Sequence, residues 1–146
     1  MADMNSPQHA VTDGDIGDCF DVMSELRPHL QRESFVPLVR AMEPDGFRLA
    51  FIRSSGRVVA VAGYRVSTNL FYGKNLYVDD LVTTDAQRSQ GHGRDLLAWL
   101  RALAIEKGCA ALHLDSGVQR KRAHAFYQRE GLDLSGHHFD ARFREP

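Results

Sequence analysis

TTDAQRSQGHGRDLLAWL, residues 83–100, decides how the rest of the chain is read. It opens with polar and small residues, passes through Gly91-His92-Gly93, and becomes a periodic run with apolar side chains at Leu96, Leu97, Trp99 and Leu100. That spacing predicts a helix from Gly91 to Lys107, closed by a basic residue and then Gly108. Two glycines at its mouth would let backbone amides approach a ligand closely, and the amino-terminal dipole of the helix favours an anion there. A plain helix-entry turn explains the same glycines equally well. Two familiar phosphate motifs do not fit, since a dinucleotide fingerprint needs a third glycine where Leu96 stands and a P-loop needs a GK[ST] ending.

Working outward, Leu76 to Thr83 reads as a strand leading into this segment, and Ala110 to Leu114 as a short apolar strand after the helix. Arg120 to Arg129 has helical spacing and is closed by Gly131, and Phe139 to Phe143 reads as a final strand. Upstream, His9 to Val11 suggests a short first strand. Thr12 or Asp13 caps a helix with apolar positions Ile16, Cys19, Phe20, Met23 and Leu26, which Pro28 ends. A second helix covers Glu33 to Met42, before the turn Glu43-Pro44-Asp45-Gly46. Phe47 to Ile52 and Val58 to Val66 are strands joined at Ser54-Ser55-Gly56, and residues 67–74 read as a looser, exposed connection. Hairpins followed by strand, helix, strand and helix make an α/β fold with a mixed, mostly antiparallel twisted sheet flanked by helices. Residues 1–146 read as one domain, with residues 1–8 expected to be frayed.

Eighteen basic and 19 acidic side chains nearly balance, so total charge points to neither nucleic acid nor an anionic membrane as a partner. There is no basic face with interleaved stacking aromatics, no apolar run of membrane-spanning length, and no leader-like apolar segment at the start. A cytoplasmic, soluble protein is the expectation. Cys19 and Cys109 are widely separated and without ligand partners, and read as reduced core or near-core residues. The seven histidines do not give three ligands at metal spacing, so no zinc is expected.

Two segments carry a resemblance. Arg88-Ser89-Gln90-Gly91-His92-Gly93, after Tyr77-Val78-Asp79-Asp80-Leu81-Val82 and before the long helix, resembles the acetyl-CoA pyrophosphate loop of the GCN5-related N-acetyltransferase superfamily, with its [QR]xxGxG pattern. Ala123 to Leu132 resembles the second conserved helix of that superfamily, with its phenylalanine-tyrosine pair and glycine turn, although Leu132 stands where an aromatic is usual. Together they cover residues 76–132, while residues 9–66 match only as an outline of helices and a hairpin.

The resemblance implies a V-shaped opening between the strand ending near Thr83 and the strand Ala110 to Leu114. Acetyl-CoA would lie there, its pantetheine against the backbone of Leu81, Val82 and Thr83 and its pyrophosphate on Arg88, Ser89, Gln90, Gly91, His92, Gly93 and Arg94. A bulge common in that strand would aim the amide of Leu81 or Val82 at the thioester carbonyl. The resemblance makes Tyr127 the proton donor to the leaving thiol; packing of Phe126 and Tyr127 against the sheet is the structural alternative. Asp79 and Asp80 are base candidates. Neighbouring strand residues face opposite sides, so only one of them should face the acceptor, with Asp79 favoured. The acidic pair hints at a cationic acceptor.

His92 is expected to be exposed beside the cofactor and not catalytic, the terminal loop leaves it open whether His138 reaches the acceptor pocket, and Arg120-Lys121-Arg122 would attract the nucleotide phosphates. The implied activity is direct acetyl transfer to a primary amine of a small molecule or peptide, with residues 24–36, 67–75 and 133–138 forming the acceptor pocket. A noncatalytic acyl-CoA-binding or regulatory domain is the first alternative, and an unrelated phosphate-binding domain the second. A homodimer is compatible with either enzymatic or regulatory use.

Overall fold

The computed structural model describes residues 6–145. The elements in order are β1 (Gln8–His9), α1 (Asp13–Asp18), α2 (Phe20–Leu26), α3 (Arg32–Met42), β2 (Phe47–Ser54), β3 (Arg57–Asn69), β4 (Gly73–Thr83), α4 (His92–Glu106), β5 (Ala111–Leu114) and α5 (Lys121–Arg129). The strands form one sheet in the order β1-β2-β3-β4-β5. Every neighbouring pair is antiparallel except β4 and β5, which run parallel because α4 carries the chain back across the sheet. The mixed, mostly antiparallel sheet expected from the sequence is the observed one.

Both faces of the sheet are covered, which explains why β2 and β3 are apolar at nearly every central position. On one face, Ile16, Phe20, Met23, Phe35 and Val39 from α1, α2 and α3 pack on Phe47, Leu49, Phe51 and Val61. On the other, Leu96, Leu100 and Ala104 of α4 pack on Ala50, Ile52, Ala60, Ala62, Leu76 and Val78. Alanines in the middle of the sheet let the α4 side chains sit directly on the strands. Cys19 and Cys109 are free thiols, the first fully buried, where burial pushes its thiol up to about 12.

Several expected boundaries move. The first strand is Gln8–His9, so Gln8 is paired, while Met1 to Asn5 of the expected frayed end lie outside the described residues. The helix capped by Thr12, whose side chain accepts the Asp15 amide at 3.0 Å, is broken at Cys19 into α1 and α2. Residues 67–74 are not a loose connection. β3 runs on to Asn69 and β4 begins at Gly73, because Asn75, buried on the sheet, donates to the carbonyl oxygens of Ser67 and Gly73 and locks the two strands together. Phe139 to Phe143 is not a strand, since no neighbour among the described residues pairs with it.

Candidate active site

β4 and β5 pair only from Asn75↔Ala111 to Val78↔Leu114. Beyond Val78, β4 continues alone to Thr83, and the two strands open a gap at their carboxyl ends. On its other edge β4 stays paired with β3, and Thr84 N–H donates to Val59 at 2.8 Å. The alternation of an antiparallel ladder then points the Val82 backbone groups at β3, and those of Leu81 and Thr83 into the gap. Of the two amides proposed from sequence, Leu81 is therefore the one with a free direction.

At the end of β4 the chain makes a single 3₁₀ turn at Asp85–Gln87 and enters α4 through Gly91, whose φ of 84° lies in the left-handed region. Ser89 also has positive φ, at 67°. α4 starts with no side-chain cap on its first amides, so the donors that a Ser or Asp would otherwise satisfy face outward. Gly93 packs between β4 and α5: a Cβ there would make ordinary contacts with Thr83 Oγ1 at 3.4 Å and the Phe126 ring at 3.6 Å. The Arg94 guanidinium lies beside Gly91, and Arg88 is paired with Asp85 at 2.7 Å.

These parts line one groove of about 910 Å³. Its walls are Leu81, Val82 and Thr83 from β4, the loop from Arg88 to Arg94 except Gln90, and the face of α5 carrying Phe126 and Tyr127, with Arg120, Lys121 and Arg122 at its entrance. Burial pushes the Tyr127 hydroxyl up, against the pull of Arg120 and Arg27, so it keeps its proton at neutral pH. Gly131 ends α5 at φ 89°, with the Leu132 amide bonded back to the Tyr127 carbonyl at 2.9 Å, which holds the tyrosine's turn in place.

The acidic pair departs from expectation. Gly63 is opposite Asp80 and Tyr64 is opposite Val78, so Asp79 is the extra residue of a β-bulge. The bulge cancels one step of alternation and puts both carboxylates on the α2 face. Asp80 lies against Gly63 and Phe47 there, and Asp79 binds Arg65, which stands directly opposite Phe47. Asp79 is held at both oxygens by Arg65, at 3.0 and 2.6 Å. Asp80 Oδ1 accepts from Arg27 Nε at 2.9 Å, and Arg27 Nη2 donates to the Asp79 carbonyl at 2.9 Å. Burial raises the Asp80 carboxyl above the usual range, with Arg27 opposing it. Each acid is matched by one guanidinium, so the pair offers no net negative charge to a cation. Neither carboxylate lines the groove.

Arg27, at the carboxyl end of α2, escaped the sequence reading. It stands in a stretch that reads as a helix end before Pro28 and, within residues 24–36, as part of the acceptor pocket, and no local pattern announces a partner 53 residues away. His92 is also misplaced by sequence: it is 8% exposed, with its ring turned to Gln87 Oε1 at 3.4 Å, because the first residue of α4 folds back over the 3₁₀ turn. His138 Nδ1 lies 3.5 Å from Asp115, whose other contact is the Tyr77 hydroxyl at 2.6 Å. Among the described residues no group of three or more His, Cys, Asp or Glu is placed to hold a metal, and no helix is long and apolar enough to cross a membrane.

Residues 16–132 match the Acetyltransferase (GNAT) family. The chain belongs to that family. This GNAT chain is 32% identical over 111 residues to the uncharacterised N-acetyltransferase YhdJ of Bacillus subtilis, covering 75% of the chain and 78% of the relative. It is 31% identical over 123 residues to the aminoalkylphosphonate N-acetyltransferase of Salmonella typhimurium, covering 83% and 77%. Its fold superposes on a transcriptional regulator from Bacillus halodurans with a TM-score of 0.85 at 22% identity, over 95% of this chain and 99% of the other. The GNAT fold implies acetyl-CoA as the ligand, and the uncapped helix mouth, the glycine cradle and the basic rim suit its phosphates.

Proposed function

We propose that this GNAT chain transfers an acetyl group from acetyl-CoA directly to a primary amine of a small molecule or peptide. The observation that carries the reading is the single groove in which the free edge of β4, the uncapped mouth of α4 and the Tyr127 hydroxyl meet. Acetyl-CoA, when bound, supplies the activated acetyl group as a thioester. The chain's own residues do the rest. Amides from Arg88 to Arg94 and the basic side chains at 120–122 hold the phosphates. Leu81 N–H orients and polarises the carbonyl, a kind of contact worth about 2.7–4 kcal/mol in enzymes where it has been removed. Tyr127 holds a proton at its hydroxyl for the departing sulfur.

For the amine proton we assign Asp80 as acceptor, acting through water because its carboxylate lies outside the groove lining, in preference to Asp79. Its raised pKa brings it closer to the working pH, and only one of its oxygens is engaged by Arg27, whereas both oxygens of Asp79 are engaged by Arg65. Because the carboxylates are neutralised and Arg27 and Arg65 are both partly exposed, the acceptor class is an amine with a neutral or anionic substituent, such as an aminoalkylphosphonate or an amino acid, in preference to a polyamine.

The test is turnover against a panel holding an aminoalkylphosphonate, free amino acids, peptides and spermidine, together with competition of acetyl-CoA against ATP and NAD for the free protein. Acetylation of the anionic amines with higher kcat/KM than spermidine is expected. Binding of acetyl-CoA with no turnover on any amine would overturn the enzymatic reading and leave an acyl-CoA-binding domain.

A further inference from the structure

β1, β2 and β3 bring His9, Arg48, Tyr64 and Val66 to the sheet face that α4 covers. His9 stands opposite Ala50, Arg48 lies two residues along from Ala50 on the same side, and Tyr64 stands opposite Arg48. α4 rests on the small alanines of this face and ends at Glu106. Beside its last turn, over the larger side chains, lies a second pocket of about 540 Å³, which shares no residue with the groove of the candidate active site. Val66, Leu103 and the Tyr64 ring give it apolar walls.

The charge in this pocket is one-sided. Arg40, Arg48 and Lys107 line it against a single acid, Glu43, which Arg40 Nη1 already holds at 2.9 Å. Arg48 Nη1 donates to the carbonyls of Glu43 and Phe47, and its Nε and Nη2 have no acceptor among the described residues. The Lys107 ammonium is not needed to cap α4, because the amides of Lys107, Cys109 and Gly108 take the carbonyls of Leu103, Ala104 and Ile105. Neither Arg48 nor Lys107 has a carboxylate within ion-pair distance among the described residues. A neutral donor joins them. His9 Nε2 and the Tyr64 hydroxyl lie 2.7 Å apart. Burial, helped by Lys107 and Arg48, lowers the His9 pKa, and burial raises that of Tyr64, so the imidazole is neutral and the phenol keeps its proton at neutral pH. The pair then carries two polar protons and spends one on the bond between them. Whichever ring donates, one N–H or O–H remains to be offered in the pocket that both line.

We propose that this pocket is a second ligand site, for a small organic acid whose carboxylate sits on Arg48 and Lys107 and whose compact hydrocarbon body packs on Val66, Leu103 and the Tyr64 ring. Two cations with unspent donors select an anion, and the planar guanidinium suits a carboxylate. The apolar walls favour an acid with a hydrocarbon body over a bare inorganic anion. The remaining proton of the His9–Tyr64 pair supplies a further hydrogen bond to the acid.

Trp99, the single tryptophan of the chain, meets the His9 ring edge-on at 4.9 Å between ring centres, so its fluorescence reports on the pocket. The experiment titrates that fluorescence in the full chain with cyclohexanecarboxylate, with inorganic phosphate and with cyclohexylmethylamine, for the wild type, Lys107→Gln and Arg48→Gln/Lys107→Gln. Arg48 and Lys107 are exposed, so circular dichroism should show both variants folded, and Lys107→Gln alone carries the same direction if the double change does not fold. The expected result is a saturable response to the carboxylate, a weaker one to phosphate and none to the amine, with the carboxylate bound about tenfold more weakly by the double variant. No saturable response in the wild type would overturn the proposal. So would a response that the amine matches, or one that survives both variants, which would place the ligand elsewhere. Phosphate bound as tightly as the carboxylate would overturn the organic acid and leave a bare-anion site.

Discussion

The Asp80 carboxylate occupies the space that a side chain on Gly63 would fill: a Cβ there would lie 2.5 Å from Asp80 Oδ2 and 2.6 Å from the Phe47 ring. Gly63 is thus required by close approach, not by its backbone angles. Gly63→Ala must displace both the buried Phe47 ring and the carboxylate. The expected loss is roughly 1–3 kcal/mol of stability, the usual cost of overpacking, read from the urea midpoint. Catalytic turnover should fall with it, because Asp80 cannot keep both its place and its Arg27 bond.

Asp80 also makes a prediction about pH. Burial holds its carboxyl above the usual range, so the folded chain binds that proton more tightly than the unfolded chain does. Its contribution to stability is then full below the unfolded pKa and is lost as pH rises through the native one. Asn at this position does not titrate. Stability of the wild type relative to Asp80→Asn should therefore decline as pH climbs from about 4 toward neutrality, checked by denaturant melts of both proteins over that range.

Kinetics separate the two acids. Asp80→Asn should lower the turnover number by roughly 10²-fold with a lost acidic limb in the pH profile, while Asp79→Asn, which loosens Arg65, should act mainly on acceptor KM. Steady-state rates on an aminoalkylphosphonate across pH decide between them, and the reverse pattern would return the base to Asp79.

At the helix mouth, Gly91→Val puts a β-branched residue at φ 84°, and its Cβ would sit 3.0 Å from Arg94 Nη2. The variant should lose acetyl-CoA affinity at least tenfold while its circular dichroism stays native. Titration calorimetry gives the affinity directly, and an unchanged value in folded protein would remove the phosphates from this loop.

Tyr127→Phe keeps the ring in the groove and removes only the hydroxyl. Turnover should drop roughly 10²-fold with little change in acetyl-CoA affinity, measured where chemistry limits the rate. Loss of affinity instead of turnover would make Tyr127 a wall of the groove.

The helix mouth, the phenylalanine-tyrosine pair and the mixed sheet could all be read from the chain, because each is written in local terms. Glycines before an apolar repeat, a 3.6-residue period from 120 to 129 and two apolar runs at 47–66 parted by Ser54-Ser55-Gly56 depend on neighbours a few residues apart. Tertiary structure alone decided where the acids point. A single unpaired residue at 79 reverses the alternation that made Asp79 and Asp80 look like opposite-facing neighbours, and a bulge is set by the register between strands. Arg27 and Arg65, which neutralise the pair, come from α2 and β3, and no short-range pattern joins them to β4. The strand pattern at Phe139 to Phe143 shows the same division. The residues specify a strand, but a strand exists only where another edge accepts its hydrogen bonds, and that edge is a property of the folded sheet.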